Sequence, residues 1–203
     1  MVSIAARTRA GAAIGCLIAG FTFLGIGGTA GLLASELKDG NAVQMIAAEH
    51  SQGRSGLAKK TRAVDARAAE VGEIVVTLIA GEGTETTSPP ARKGDMVVRN
   101  RCAATGNEEI LVTAKKFAAR YEGPLGAGSL PGWKTYRPRG KVMRYMVVPE
   151  SAGSFRFKAP WGAFMKAHPG DALVQDPKDE TDTYRIAAAA FACTYEVVAP
   201  AKP

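Results

Sequence analysis

The sequence has few of the residues that build covalent or metal-bound frameworks, with three cysteines and two histidines among 203 residues. Cys16, Cys102 and Cys193 are an odd set without CxxC or Cys/His spacing, which excludes a disulfide scaffold and an ordinary zinc site. Neither histidine forms a known catalytic pattern with a serine or cysteine. No metal or cofactor is therefore expected, although Cys102 and Cys193 could pair with each other in an oxidising compartment.

Other signs of chemistry are also scarce. Gly81–Thr87 reads GEGTETT and lacks the GK[ST] ending of a phosphate-binding loop. The composition, 46% hydrophobic and 22% charged, is typical of a folded globular protein. The net charge of +7 is uneven, since residues 1–35 carry +2, residues 123–140 carry +3 and residues 73–122 carry none. The basic excess thus lies in a tail and one short run, and the sequence disfavours a broad nucleic-acid-binding face.

One long apolar run is present. Ala10–Ser35 contains no charged residue and follows Arg7 and Arg9. A helix of this length could cross the roughly 30 Å of a bilayer's hydrocarbon core. The sequence therefore predicts a single-pass membrane protein with the lipid bilayer as partner through residues 10–35, and the short basic tail favours a cytoplasmic N-terminus.

Two alternatives to this anchor stay open. The run could be a secretory signal that is cleaved to give a secreted product, or a buried helix of a soluble domain, where its glycines would be costly. As a membrane helix it could also self-associate, because small residues in GxxxG spacing let two helices approach closely. The glycines with this spacing are Gly11 and Gly15, and Gly27 and Gly31.

Further along the chain, Arg92–Glu122 and His168–Glu196 repeat the same landmarks. Each has a Gly-Asp pair, an apolar strand, a polar loop, a second strand and a helical turn with Phe and Tyr four residues apart. Such a glycine permits a tight turn, the aspartate can bind backbone N–H groups, and the two rings share one helix face. The motif residues, interpreted as fold-forming, are Gly94, Asp95, Phe117, Tyr121 and Glu122 in the first segment and Gly170, Asp171, Tyr184, Phe191, Tyr195 and Glu196 in the second.

These patterns predict an α+β fold: an N-terminal hydrophobic, transmembrane-like helix followed by two tandem small β-rich units, each ending in a short helix. The predicted domains are a basic tail and membrane helix (1–35), a polar helical linker (36–72), a first unit (73–122), a Gly/Pro-rich basic connection (123–140) and a second unit (141–197). Glu73–Ala80 and Val142–Pro149 are the expected first strands of the two units. Leu57–Val71, rich in Ala, Lys and Arg, is expected to be helical.

The two segments resemble the PGDYG-motif family, in which a Pro-Gly-Asp turn precedes a Tyr-containing strand and an ending of the F-x-x-T-Y-E type. Pro169-Gly170-Asp171, Tyr184 and Phe191–Glu196 carry the resemblance best. The second segment departs from the motif at Ala172-Leu173, where the family has Tyr-Gly. The resemblance covers about half the chain and implies a fold unit without an established reaction.

The connection between the units holds the candidate ligand-binding residues, in which aromatic and basic side chains alternate. They are Trp133, Lys134, Tyr136, Arg137, Arg139 and Arg144. Basic groups interleaved with aromatics suit a single-stranded nucleic acid or another anionic ligand. The sequence nevertheless favours a solvated loop with two anchoring rings.

The function predicted from these observations is that of a membrane-anchored binding or interaction protein without catalysis of its own. Its ligand would be an unknown protein or small molecule. One alternative is an enzyme with a site between the two units that uses Asp171, Tyr195 and Glu196. The other is an anionic-ligand or nucleic-acid binder that uses residues 134–144. Residues that recur in both segments are better explained by folding than by catalysis.

Overall fold

The computed structural model describes residues 37–202, and strands dominate this part of the chain. Three short α-helices interrupt the strands: α1 (Ala42–Ser51), α2 (Ala114–Arg120) and α3 (Ala188–Thr194). Helix α1 begins where the Asn41 side chain accepts the Gln44 N–H at 3.0 Å. Within residues 37–202 no helix combines the length and the hydropathy needed to span a bilayer. The anchor predicted over residues 10–35 lies outside the described residues.

Two five-stranded antiparallel sheets form the framework. The first contains, in spatial order, β7 (Glu109–Val112), β6 (Met96–Asn100), β3 (Val64–Ala68), β9 (Lys134–Pro138) and β8 (Tyr121–Ala127). The second contains β14 (Asp179–Ile186), β13 (Ala172–Asp176), β10 (Val142–Val147), β2 (Gly56–Lys60) and β15 (Tyr195–Ala199).

The same succession of elements builds both sheets. The first half, residues 64–127, runs through β3, a hairpin of β4 (Val76–Ile79) and β5 (Gly83–Thr87), then β6, β7, α2 and β8. The second half, residues 142–199, runs through β10, a hairpin of β11 (Phe155–Lys158) and β12 (Phe164–Ala167), then β13, β14, α3 and β15. The short strand β1 (Lys38–Asp39) adds to β11 in parallel. The two halves therefore share one topology.

One strand of each sheet, the fourth in the spatial order given above, is exchanged between the halves. Strand β2 directly precedes β3 in the chain, yet it pairs with β10 and β15 in the second sheet. Strand β9 directly precedes β10, yet it pairs with β3 and β8 in the first sheet. An equivalent backbone hydrogen bond follows each exchanged strand. After β2, Thr61 N–H donates to Thr194 O at 3.1 Å, and after β9, Arg139 N–H donates to Arg120 O at 2.8 Å. The two halves are thus interlocked.

Each sheet buries one face under its own helix. In the first sheet Val64, Ala66 and Val98 are buried beneath Phe117 of α2, and in the second sheet Ala58, Met143 and Val174 are buried beneath Phe191 of α3. The opposite face of the second sheet packs Met146 and Leu173 against Ile46 of α1 and Phe155 of β11, all at most 5% exposed. Burial of these apolar groups is the main source of stability.

The predicted α+β architecture of two tandem units, each ending in a helix, is wrong. The described part of the chain is mostly strand, its three helices are short, and a further strand follows the helix in each half. Each helix ends, and the next strand begins, at a tyrosine with an extended backbone. Tyr121 has φ −128° and ψ 153°, and Tyr195 has φ −114° and ψ 148°. The halves are also not consecutive bodies, because each sheet takes a strand from the other half.

The helix expected over Leu57–Val71 is likewise absent, since this segment forms most of β2 and all of β3. Its Ala and Lys residues favour helix intrinsically, but Ala58, Val64 and Ala66, each at most 1% exposed, are buried in the sheets, and packing overrides propensity. Consequently β3, and not Glu73–Ala80, is the first-half equivalent of β10.

Candidate functional site

The two Gly-Asp corners have the same geometry. Gly94 and Gly170 both have φ +88°, a conformation that glycine adopts without strain. The Asp95 carboxylate accepts the backbone N–H of Arg92 and of Ala114, each at 2.9 Å. The Asp171 carboxylate accepts the equivalent N–H groups of His168 at 2.8 Å and Ala188 at 3.0 Å. Each aspartate therefore links a turn to the start of the following helix.

The ring pairs are equivalent as well. Phe117 and Tyr121 stack with centroids 5.1 Å apart, and Phe191 and Tyr195 stack with centroids 5.2 Å apart. A third ring completes each cluster, but it comes from exchanged β9 in the first half (Tyr136) and from β10 in the second (Tyr145). Phe117 and Phe191 pack against the cores, whereas Tyr121 and Tyr195 line a cavity between the halves.

The basic connection does not form a common surface. The Tyr136 ring packs on Phe117 in the core, and Trp133 lies beneath the Arg67 guanidinium at 5.2 Å. Arg137 and Arg139 both pair with Glu122, and Arg144 pairs with Gln175 and Glu180. Lys134 is exposed. The predicted ligand-binding residues are therefore dispersed, and most of their charges are neutralised locally.

A cavity of about 930 Å³ lies between the two halves and receives residues from both. Tyr121 and Tyr195 line it from equivalent positions, together with apolar groups such as Ile110, Met143 and Ile186. This volume is at the upper end of the range of small-molecule sites. Among the lining residues are six basic side chains (Lys60, Arg92, Lys116, Arg120, Lys141 and Arg185) and four acidic ones (Glu85, Asp95, Glu108 and Asp182). The lining is thus largely apolar with a modest excess of positive charge.

Two of these cations, the exposed Arg92 and Lys60, form no ion pair with any described residue, and the one that a neighbouring side chain holds in place is Lys60, the last residue of exchanged strand β2. Its Nζ donates to Asn100 Oδ1 and lies 5.9 Å from the centre of the Tyr121 ring. Asn100 in turn donates to Glu108 at 2.7 Å, and Thr105 also donates to Glu108. Among the described residues no carboxylate oxygen lies within ion-pair distance of Lys60. Its ammonium group is therefore held in place by a neutral amide and keeps its charge free for a ligand.

A second cationic group lies where α2 reaches the other half. Lys116 pairs with Asp182 at 2.7 Å, and Arg120 pairs with the other oxygen of the same carboxylate. The Arg120 guanidinium also lies over the Tyr184 ring at 5.7 Å. Two cations thus share one nearly buried carboxylate, whose side chain is 7% exposed. This wall of the cavity keeps one positive charge in excess.

The Tyr195 hydroxyl is kept neutral. Burial raises the pKa of Tyr195 well above its ordinary value, and Tyr184 and Tyr121 raise it further. Tyr195 is partly exposed, and it lines the cavity. At neutral pH Tyr195 can donate or accept a hydrogen bond, but it does not act as a base.

A buried ion cluster forms another wall. The Arg185 side chain is 1% exposed and pairs with Asp171 at 2.8 Å, Glu85 at 2.7 Å and Glu82 at 2.6 Å. Burial raises the pKa of Glu85 despite the adjacent guanidinium. Asp171 belongs to the second half, whereas Glu82 and Glu85 belong to the first-half hairpin. Arg185 therefore joins the halves electrostatically.

The residues of the alternative enzyme site do not converge. The Asp171 oxygens are occupied by two backbone N–H groups and Arg185. Glu196 is on the surface, 3.3 Å from Lys59, while its strand neighbour Tyr195 faces the cavity. Within residues 37–202 no cluster of three His, Cys, Asp or Glu side chains is suited to hold a metal.

Sequence reasoning missed most of the cavity residues. Lys60 falls in the predicted helical linker, and Arg120, Asp182 and Arg185 are not among the predicted site residues. Comparison of the two halves could have identified Arg185. Arg185 pairs with Leu173 across the second sheet, and at the equivalent position of the first sheet Leu111 pairs with Val97. A charge at a position that is apolar in the other copy indicates a special role.

Comparison of the chain with family models, with characterised proteins and with solved structures finds no match.

Proposed function

We propose that the interlocked halves bind a small molecule with an apolar body and an anionic group, and that they perform no chemistry on it. The observation that carries this proposal is the shared cavity, which equivalent tyrosines from both halves line beside an ammonium group that has no carboxylate partner among residues 37–202. A ligand of this class would place its apolar part against Ile110, Met143 and the tyrosine rings.

The charges argue for an anionic group on the ligand. Lys60 lacks a carboxylate partner among the described residues, and Lys116 and Arg120 share a single one. A bound carboxylate, sulfonate or phosphate would complete charge-assisted hydrogen bonds that the protein leaves incomplete. Neutral Tyr195 could add a hydroxyl contact.

The same groups argue against catalysis. The aspartate of the proposed enzyme site is saturated by hydrogen bonds, and the raised pKa of Tyr195 deprives the cavity of a phenolate. A general base needs a free acceptor with a pKa near the working pH. Binding without reaction is therefore the function that this arrangement supports best.

Replacing Lys60 by methionine is expected to weaken binding of anilinonaphthalene sulfonate about tenfold, the value of one charge-assisted hydrogen bond. Fluorescence titration measures the change. Lys59→Met is the matched control, because Lys59 lies on the opposite face of β2, where it contacts Glu196. N-phenylnaphthylamine, which lacks the sulfonate, should bind both variants and the parent equally. Equal losses in the two variants, or none in Lys60→Met, would refute the proposal.

Membrane attachment through residues 10–35 forms the second part of the proposed function. Its support is the uncharged run behind Arg7 and Arg9, which is long enough to cross a bilayer. The full chain should stay in the membrane pellet after an alkaline carbonate wash, whereas a chain starting at residue 36 should be released. Release of the intact full chain would contradict the anchor and favour a buried helix of a soluble domain. Recovery of a shortened secreted product would favour a cleaved secretory signal.

A further inference from the structure

Two thiols from opposite halves lie close to each other. Cys102 follows β6 of the first half, and Cys193 lies in α3 of the second. The Cys102 Sγ is 3.8 Å from the Ala189 carbonyl, and the Cys193 Sγ is 3.9 Å from the Arg101 carbonyl. The Cys193 sulfur therefore lies against the residue that precedes Cys102, and the Cys102 sulfur lies against the turn of α3 that precedes Cys193. Both are free thiols in the structure.

The two thiols differ in access and acidity. Cys102 is 0% exposed, whereas Cys193 is partly exposed and has the Arg62 guanidinium 3.7 Å from its sulfur. Burial alone would raise the pKa of Cys102, but hydrogen bonds from Cys193 and Thr105 outweigh it and lower that pKa. Burial and the hydrogen bond to Cys102 raise the pKa of Cys193. Cys102 is therefore the buried and more acidic thiol, and Cys193 is the more accessible and less acidic one.

We propose that Cys102 and Cys193 form a reversible disulfide that joins the two halves when a small-molecule disulfide is the oxidant. This inference rests on the positions of the two sulfurs and is independent of the proposed ligand.

The exchange proceeds in two balanced steps. The Cys193 sulfur attacks one sulfur of the oxidant, the oxidant's S–S bond breaks, and one small thiol leaves with the Cys193 proton. The Cys102 sulfur then attacks the Cys193 sulfur of the mixed disulfide, and a second small thiol leaves with the Cys102 proton. The protein has lost two electrons and two protons, and the oxidant has gained them. Attack by a thiolate on an accessible disulfide is the general route of such exchange.

The crosslink would act on the wall of the cavity. The Thr105 hydroxyl, which donates to Glu108, has its oxygen 3.1 Å from the Cys102 carbonyl. Glu108 holds Asn100, which positions Lys60. Oxidation would therefore fix the segment on which the position of Lys60 depends.

The test uses the full chain with Cys16→Ser, so that only these two thiols remain, and treats it with oxidised glutathione. Peptide mapping should show the Cys102 peptide joined to the Cys193 peptide with two hydrogens lost. The thermal transition should rise by on the order of 10 °C, and dithiothreitol should reverse it.

Single variants test the order of steps. Cys102→Ser should accumulate glutathione on Cys193, because the resolving thiol is missing. Cys193→Ser should stay unmodified while folded, because Cys102 is buried. Separate glutathione adducts on both cysteines, or unaltered thiols after prolonged oxidation, would overturn the proposal.

Discussion

Replacing Arg185 by leucine is expected to lower the free energy of unfolding by about 3–5 kcal/mol, the usual cost of leaving buried charges without their partner. The guanidinium is 1% exposed and faces three carboxylates, of which Glu85 is 9% exposed. Without it, Glu82 and Glu85 lose their counter-charge, while Asp171 retains its two backbone N–H donors. Urea unfolding followed by circular dichroism measures the loss.

A compensated variant is the matched control. Combining Arg185→Leu with Glu82→Gln and Glu85→Leu removes the stranded charges, and leucine already occupies the equivalent position, Leu111, in the first half. Most of the lost stability should return. A loss below about 1 kcal/mol in the single variant would show that the cluster does not hold the halves together.

The pH dependence gives an independent check. Burial already raises the pKa of Glu85 in the native state, and loss of Arg185 would raise it further. A carboxyl with a raised native pKa favours the folded state increasingly as the pH falls, because the folded protein then binds a proton that the unfolded chain does not. The deficit of Arg185→Leu should therefore shrink as the pH falls from neutral towards the ordinary glutamate value.

Cutting the chain in the loop before β9 is expected to abolish folding of both pieces. A fragment of residues 37–130 contains β2, whose partners are in the second half, and lacks β9, which fills the first sheet. A fragment of residues 131–202 has the opposite defect. Each fragment alone should show no cooperative thermal transition, because its sheet lacks an inner strand. The first sheet would lack β9 between β3 and β8, and the second would lack β2 between β10 and β15.

Mixing the two fragments should restore a single transition, since every strand pairing is then available. The control is a protease site placed in the same loop of the intact protein, where a nick made after folding should be tolerated. Cooperative folding of residues 131–202 alone would show that the second half is a self-sufficient domain.

Local features of the fold could be predicted from the sequence where a residue type has few conformations available. Gly94 and Gly170 stand at turns with φ +88°, and Asp95 and Asp171 bind the neighbouring backbone, as the repeated Gly-Asp pairs indicate. The Phe-x-x-x-Tyr spacing likewise places both rings of each pair together. These features depend only on residues that are close in sequence.

The strand exchange and the cavity could not be predicted, because they depend on which distant strand a segment joins. The sequence predicts a helix over β2 and a connection over β9, and neither segment carries a signal for the sheet that it joins. The sequence VDARA of β3 does not look like a central strand because it contains two charged residues. Asp65 is nevertheless 0% exposed, and hydrogen bonds from Arg101 and Ser129 compensate its buried charge. Lys60 becomes a cavity residue only because β2 crosses to the other half.

The most direct test of a ligand cavity shared by both halves is isotope-filtered NMR of the protein with bound anilinonaphthalene sulfonate. Intermolecular nuclear Overhauser effects should reach the rings of both Tyr121 and Tyr195 and the side chain of Lys60. Contacts confined to the exposed apolar residues of the hairpins, Val76, Leu78 and Phe164, would contradict the account.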